Sequence, residues 1–468
     1  MLGSATYRSL GEQRLSPKEE RFEKGRRTVG LFLAPLLAVV MLVLPLDIPR
    51  EQQVLAAVLL GVIALWITEA VPIPIGGLLG VAVAVFLGVA PVDDVLGPFG
   101  SSTIFTFIGA FILAQAMLKH ALARRFAFRI LSLPRAGGST TGVILAFGAI
   151  TALLSAFVSN TATVAMLLPT AMGILGVIAK MMQRRGDVEP DFDPRRLRVG
   201  TALMLMLLLA LILIRLNKPE ISRIEGVEEY VAGEREKLGK LTRAEKNTLI
   251  AFGVTVTLWL LPGIFALVTG TDSTTYEFVS DRLDEGVVAV FGASLLFLLP
   301  TDWPQREFTL RWRDASEIDW GTIILFGTGI IFGSLISSTG LAETIGTSVD
   351  DALGLSSVVP ITIFAVLLAI IVSETTSNTA SAAVVVPIVI PVAVAAGVNP
   401  FVPASAATFA ASFGFMLPVS TPQNAIVDGS GVVPITKMIR SGITFDIAGA
   451  ILIILLLPIM VGLLGLGS

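Results

Sequence analysis

Two strings of nine residues decide the reading of this chain. They are Ser155-Ala156-Phe157-Val158-Ser159-Asn160-Thr161-Ala162-Thr163 and Ser373-Glu374-Thr375-Thr376-Ser377-Asn378-Thr379-Ala380-Ser381. Ser377 follows Ser159 by 218 positions, and Pro387 follows Pro169 by the same 218. Each string sits near the middle of an apolar run, residues 142–179 and 357–396. Both runs exceed the ~20 residues that one helical bilayer crossing needs. Irregular polar backbone survives at membrane depth only where protein buries it or a cavity wets it. A long apolar run with a polar centre therefore reads as a re-entrant hairpin with a polar tip.

Outward from the tips the copies continue. Thr103-Ile104 stands before the first tip as Thr322-Ile323 stands before the second, and Leu122-Ala123 is matched by Leu341-Ala342. A repeat of about half the chain is a mark of secondary-transporter folds, which place their site near the bilayer midplane. The expected halves are 29–215, with its hairpin at 142–179, and 246–468, with its hairpin at 357–396 and a broken helix over 404–427. Residues 1–28 read as a cytoplasmic N-terminal segment and 216–245 as a cytoplasmic charged loop. The Lys and Arg distribution gives the orientation. Arg26 and Arg27 precede the first apolar run, Val29 to Leu46, which lacks a signal-peptide cleavage site and reads as an uncleaved span. With the N-terminus inside, the first hairpin enters from the cytoplasm and the second from outside, so the repeats are inverted.

Composition narrows the function classes. Of 468 residues, 54% are hydrophobic and 15% charged, against roughly a quarter charged in soluble domains, and the mean hydropathy is +0.83. The chain reads as an all-α integral membrane protein of the plasma (inner) membrane, multi-pass, with the lipid bilayer as its surroundings. It has no cysteine and one histidine, which removes disulfides and thiolate chemistry. His120, beside Lys119, reads as a solvated helix-end residue. No metal-ligand cluster or nucleophile–histidine pair stands out, so no enzymatic activity, organic cofactor or nucleic-acid partner is expected.

The tips offer hydroxyls, an amide and backbone groups, and the only formal charge is Glu374. Such oxygens suit a hard cation. Ser155 and Ser159, four apart, share one face of a helix end. Asn160 can give an amide oxygen to a cation and an amide N–H to an anion. The arm that starts at each tip points a helix N-terminus, favourable to negative charge, into the site. Ser, Asn and Thr also cap helices, but one spacing repeated at two matched tips asks for more than capping. A dianion deep in lipid needs compensating charge, and the spans supply no Lys or Arg. Bound cations would supply it. A third constellation, Ser420-Thr421-Pro422-Gln423-Asn424, follows Ser412-Phe413-Gly414-Phe415-Met416-Leu417-Pro418 and reads as a discontinuous helix with freed carbonyls. Glu69 reads as part of a membrane-interface turn, Glu374 as a solvent-facing or paired residue at the hairpin mouth, and Asp446 as interfacial.

With Trp66-x-Thr-Glu-Ala-x-Pro-x-Pro, the paired Ser-Asn-Thr tips and Thr421-Pro422-x-Asn424, the chain resembles the divalent anion:sodium symporter family. The resemblance implies a homodimer and elevator-type alternating access. It implies sodium as coupling ion, about two or more per cycle, held at Ser155, Ser159 and Asn160 in one site. The other site would use Ser373 and Asn378 with backbone near Ser420. Asn160, Thr161, Ser377, Asn378, Thr379 and Pro422 would contact a dianion or trianion, a di- or tricarboxylate such as succinate, malate, fumarate or citrate. A sulfate carrier or a sodium-independent dicarboxylate exchanger of the same family is the alternative, and an anion channel is the reading from another class. One departure stands out. Members carry a Thr-Pro motif on a broken helix after the first hairpin as well, and nothing between Val199 and Leu216 matches it. The repeat implies that roughly forty to fifty residues are missing near Met206 and Leu207. A transport-impaired deletion variant is therefore a further alternative.

Overall fold

The computed structural model describes residues 17–132, 140–155, 174, 227–270, 272–341, 343–345, 357–375, 378–416, 421, 424, 427, 433 and 435–463. In chain order its helices are α1 (Pro17–Val43), α2 (Arg50–Thr68), α3 (Ile73–Phe86), α4 (Val92–Leu96), α5 (Ser102–Lys119), α6 (Leu122–Leu131) and α7 (Thr140–Ser155). After these come α8 (Val227–Leu238), α9 (Arg243–Thr269), α10 (Thr274–Ser280) and α11 (Glu285–Leu298). A short antiparallel pair, β1 (Pro300–Asp302) and β2 (Glu307–Phe308), precedes α12 (Trp312–Ser316). The remainder are α13 (Trp320–Ser338), α14 (Val358–Thr375), α15 (Asn378–Ala395), α16 (Phe401–Ala410) and α17 (Ile435–Leu463). Among the described residues six helical stretches are long and apolar enough to cross a membrane: Lys24–Val43, Arg50–Thr68, Val92–Lys119, Arg243–Thr269, Trp320–Ser338 and Thr436–Leu463. The chain is a multi-pass, all-α membrane protein. Side chains such as Phe32, Phe86, Leu267 and Leu463 are more than 70% exposed, as suits helices whose outer faces meet hydrocarbon.

Two compact units interleave along the chain. One comprises residues 1–99, 324–429 and 435–468, and the other 100–323 and 430–434. In the first, a core of Leu55, Val62, Trp66, Phe332, Ile361, Val385, Val389 and Ala406 joins α2, α3, α13, α14, α15 and α16. Small residues allow the close approaches. A β-carbon on Gly77 would press on Thr328, and one on Gly80 would strike Val62 and Phe332. The Trp66 ring meets Phe332 edge-on, with centroids 6.3 Å apart, and its Nε1 donates to Ile73 O at 2.8 Å. That bond closes the α2–α3 turn, where Glu69 takes a left-handed φ of 46°. Arg26 of α1 pairs with Glu69 at 2.9 Å. The Trp-x-Thr-Glu-Ala-x-Pro-x-Pro run is thus a turn lock in this structure. The interfacial-turn reading of Glu69 gains a partner.

In the second unit, α5 and α11 lie in contact. A β-carbon on Gly109 would strike the backbone of Ala289, and one on Gly286 would strike that of Ser102. Asp284 caps α11 by accepting from Gly286 N at 3.0 Å and Val287 N at 3.1 Å. It also accepts from Ser102 Oγ at 2.7 Å, which ties the two helix starts together. The amphipathic α6 is held by its arginines. Arg125 grips both carboxylate oxygens of Glu245, at 2.7 and 3.2 Å, and donates to the carbonyls of Leu238 and Gly239. Arg124 binds Glu234 of α8 at 2.7 Å. So the 216–245 stretch, expected as a charged loop, contains a helix docked by ion pairs. His120 ends α5 and donates from Nε2 to Thr309 O at 2.8 Å, a partnered helix end.

Candidate cation and substrate site

The second string becomes a helical hairpin. α14 ends at Thr375 and α15 starts at Asn378, so one arm ends and the next begins inside the quoted string. The two arms lie side by side, and Ser381 Oγ donates to Ala369 O at 2.7 Å across them. Pro387 and Pro391 sit inside α15 without ending it. Among the described residues the chain also leaves the helix after α16. α16 ends at Ala410, residues 411–416 are not helical, and helical residues recur at Asn424 and Val427.

The hairpin and the segment after α16 meet at Ser373. A hydroxyl has one proton to donate. Ser373 Oγ nonetheless stands 2.8 Å from Asn378 Oδ1 and 2.6 Å from Ala411 O, both acceptors. One of these contacts is therefore oxygen against oxygen with no proton between. Beside them, Gly414 packs so closely that a β-carbon on it would strike these oxygens. Such a carbon would lie 2.8 Å from Ser373 Oγ, 2.9 Å from Ser373 O and 3.1 Å from Asn378 Oδ1. The donor set is neutral oxygen, the chemistry a hard monovalent cation takes. Among the described residues no group of three or more acidic or histidine side chains could hold a metal, so the neutral cradle is the candidate. The residues fit sodium.

The turn that carries these carbonyls is tied down from both sides. Glu374, next to Ser373, is 4% exposed. Its Oε1 accepts from Phe415 N at 2.8 Å and Met416 N at 3.0 Å. The solvent-facing reading of Glu374 is corrected: it is buried and paired with backbone. Asn424 Nδ2 donates to Gly414 O at 2.7 Å, and Asn424 N donates to Thr421 Oγ1 at 3.1 Å. Thr421 and Asn424 are both buried. The start of the last helix is corrected. α17 begins at Ile435, not near residue 443, so Asp446 lies a dozen residues inside a helix and is 6% exposed.

Of the expected site residues, the structure brings Ser373 and Asn378 together. The side chains of Ser155 and Thr379, and the whole of Ser159, Asn160, Thr161, Ser377, Ser420 and Pro422, lie outside the described residues. Sequence reasoning did not single out Ala411 or Gly414, although the Ser412-Phe-Gly-Phe run had been marked as a break.

A model of the sodium:sulfate symporter transmembrane region matches residues 196–465, more than half of the chain, and a citrate transporter model matches residues 63–183. The chain belongs to the divalent anion:sodium symporter family. Sodium-dependent dicarboxylate transporters SdcS of Staphylococcus aureus strains bovine RF122 / ET3-1, MRSA252 and USA300 are each 30% identical to it, over 96% of this chain and 94% of theirs. As a member of the divalent anion:sodium symporter family the chain is a multi-pass plasma-membrane transporter and not an enzyme. Each of those alignments runs over 508 positions, 40 more than the 468 residues of the chain. At least 40 positions are therefore gaps on this chain's side.

Proposed function

We propose that the chain is a sodium-coupled symporter of di- or tricarboxylates that works by alternating access. The single observation that carries the proposal is the crowding of acceptor oxygens on Ser373 Oγ, with Gly414 packed directly against them. Family membership and the dicarboxylate specificity named for the staphylococcal relatives support the substrate class. Sodium bound there would supply positive charge next to a substrate carboxylate, where no Lys or Arg of the tip can.

The chain's own residues would act as follows. Ser373, Asn378, Ala411 O and the backbone near Ser420 hold one cation. Ser155, Ser159 and Asn160 form the matching site of the first repeat. Asn378 faces two ways, with an oxygen toward Ser373 and an amide N–H free of that contact to meet an anion. It also starts α15, whose N-terminus favours negative charge. Asn160, Thr161, Ser377, Thr379 and Pro422 complete the carboxylate contacts. The hairpins are re-entrant and inverted, the N-terminus is cytoplasmic, and the working form is a homodimer with elevator-type motion.

The test is uptake of labelled succinate into proteoliposomes with sodium outside or with choline in its place. Uptake that needs sodium supports symport, and equal uptake in choline refutes it. Sulfate and citrate as competitors separate the substrate classes.

A second reading has its own observation. The excess of aligned positions fits the loss of a stretch near Met206 and Leu207. On that reading the first-repeat site lacks its broken helix, and the chain binds sodium and anion at the second tip without transporting. The genomic reading frame at Met206–Leu207, together with sodium-dependent succinate stabilisation in the absence of uptake, tests it. Normal uptake by the chain refutes it.

A further inference from the structure

Asp446 has no role in the site described above, and its surroundings ask for a ligand. One face of α17 is pressed against the 411–416 turn. A β-carbon on Gly442 would sit 2.6 Å from Met416 N, and one on Gly449 would strike the Phe413 ring. Phe445 stacks at a tilt on Phe415, with centroids 5.7 Å apart. Asp446 follows Phe445 and is 6% exposed, and among the described residues no N–H or hydroxyl donates to its carboxylate oxygens. Its carboxyl meets that of Glu374 side chain to side chain. The two acids differ in support. Glu374 accepts from the N–H groups of Phe415 and Met416, whereas Asp446 accepts from none.

Two carboxyl groups brought together away from water cannot both ionise unless a positive charge lies between them. A single shared proton would satisfy one oxygen of Asp446 and leave the other buried without a donor. A cation meets both. We propose that Glu374 and Asp446 hold a further sodium ion, next to the one at Ser373 and Asn378 and additional to the first-repeat site. Consecutive residues of one hairpin arm would then serve two cations along one turn. Ser373 uses the carbonyl of Ala411, and Glu374 uses the backbone four and five residues later. The inference rests on the sodium reading of the tip for the identity of the ion, and the experiment keeps the two separable.

Equilibrium binding of radioactive sodium to the purified full chain is counted per protomer for the wild type, D446N, D446S and S373A. The expected result is one ion fewer in D446N and in D446S, with the remaining affinity unchanged, and independently one ion fewer in S373A. Melting in choline should rise in D446N, which removes the facing charge, and its sodium-induced rise should be smaller than in the wild type. A folded D446N or D446S that binds as many ions as the wild type overturns the inference. If S373A alone loses an ion, the tip reading stands without it. If only the Asp446 variants lose one, the tip reading fails and the carboxylate site stands.

Discussion

Gly414 stands so close to Ser373 that a β-carbon on the glycine would lie 2.8 Å from the serine hydroxyl oxygen. The same carbon would lie 3.1 Å from Asn378 Oδ1, inside the cradle read here as a cation site. Gly414→Ala should therefore act on sodium before it acts on the fold. Overpacking of this kind costs about 1–3 kcal/mol, so the sodium concentration for half-maximal binding should rise about tenfold or more. A sodium titration followed by thermal stabilisation checks this. An unchanged midpoint would remove Gly414 from the site.

Trp66 should be a matter of stability. Trp66→Phe keeps most of the packing on Phe332 but loses the bond to Ile73 O, a loss of about 1–2 kcal/mol. Trp66→Ala should cost about 3–5 kcal/mol through the cavity it opens. Melting in detergent should rank wild type above W66F and W66F above W66A, and sodium affinity should stay level in W66F.

Arg125 and Glu245 should behave as one unit. The Glu245 side chain is 3% exposed, so Arg125→Ala leaves a buried charge without its partner, at about 3–5 kcal/mol. Arg125→Lys restores the charge but cannot grip two carboxylate oxygens and two carbonyls at once. A double-mutant cycle with Glu245→Gln should show strong non-additivity, with the double variant less damaged than the two single effects summed.

The docking of α8 should depend on pH. The hydrogen bond from Lys237, aided by the charges of Lys237 and Arg124, outweighs burial and holds the Glu234 carboxyl below its ordinary value. A carboxyl lowered in the folded state adds stability above its unfolded pKa and loses it as pH falls through the folded pKa. The protection factors of α8 amides, which divide out the intrinsic pH dependence of exchange, should therefore fall on acidification below the ordinary glutamate range. In Glu234→Gln they should be lower at neutral pH and nearly flat across that range.

The helix end at Thr375 and the helix start at Asn378 were legible because their signal is local. A polar cluster inside an apolar run cannot stay helical and unpartnered in lipid, so Thr375 and Asn378 end and start their helices where the quoted string breaks the run. Ser373 and Asn378, five residues apart, came together for the same reason. Glu374 was harder. Its partners Phe415 and Met416 lie 41 and 42 residues away, and no spacing rule predicts a side chain that binds backbone of another element. The start of α17 was missed because Ile435-Thr436-Lys437-Met438-Ile439-Arg440-Ser441-Gly442 is too polar to read as part of a span. A helix needs only one apolar face there, and Met438 and Ser441 are its buried positions. The signal was present in Gly442, Asp446 and Gly449, whose spacing of four and three puts them on one face.

The account turns on whether a carboxylate substrate binds only when sodium occupies the oxygens around Ser373 and Asn378. Calorimetric titration of the purified chain with succinate, in sodium buffer and in choline buffer, measures this directly. The account predicts binding in sodium, none in choline, and none in either buffer for Asn378→Ala. Equal affinity in the two buffers, or sodium-dependent binding retained by Asn378→Ala, would contradict it.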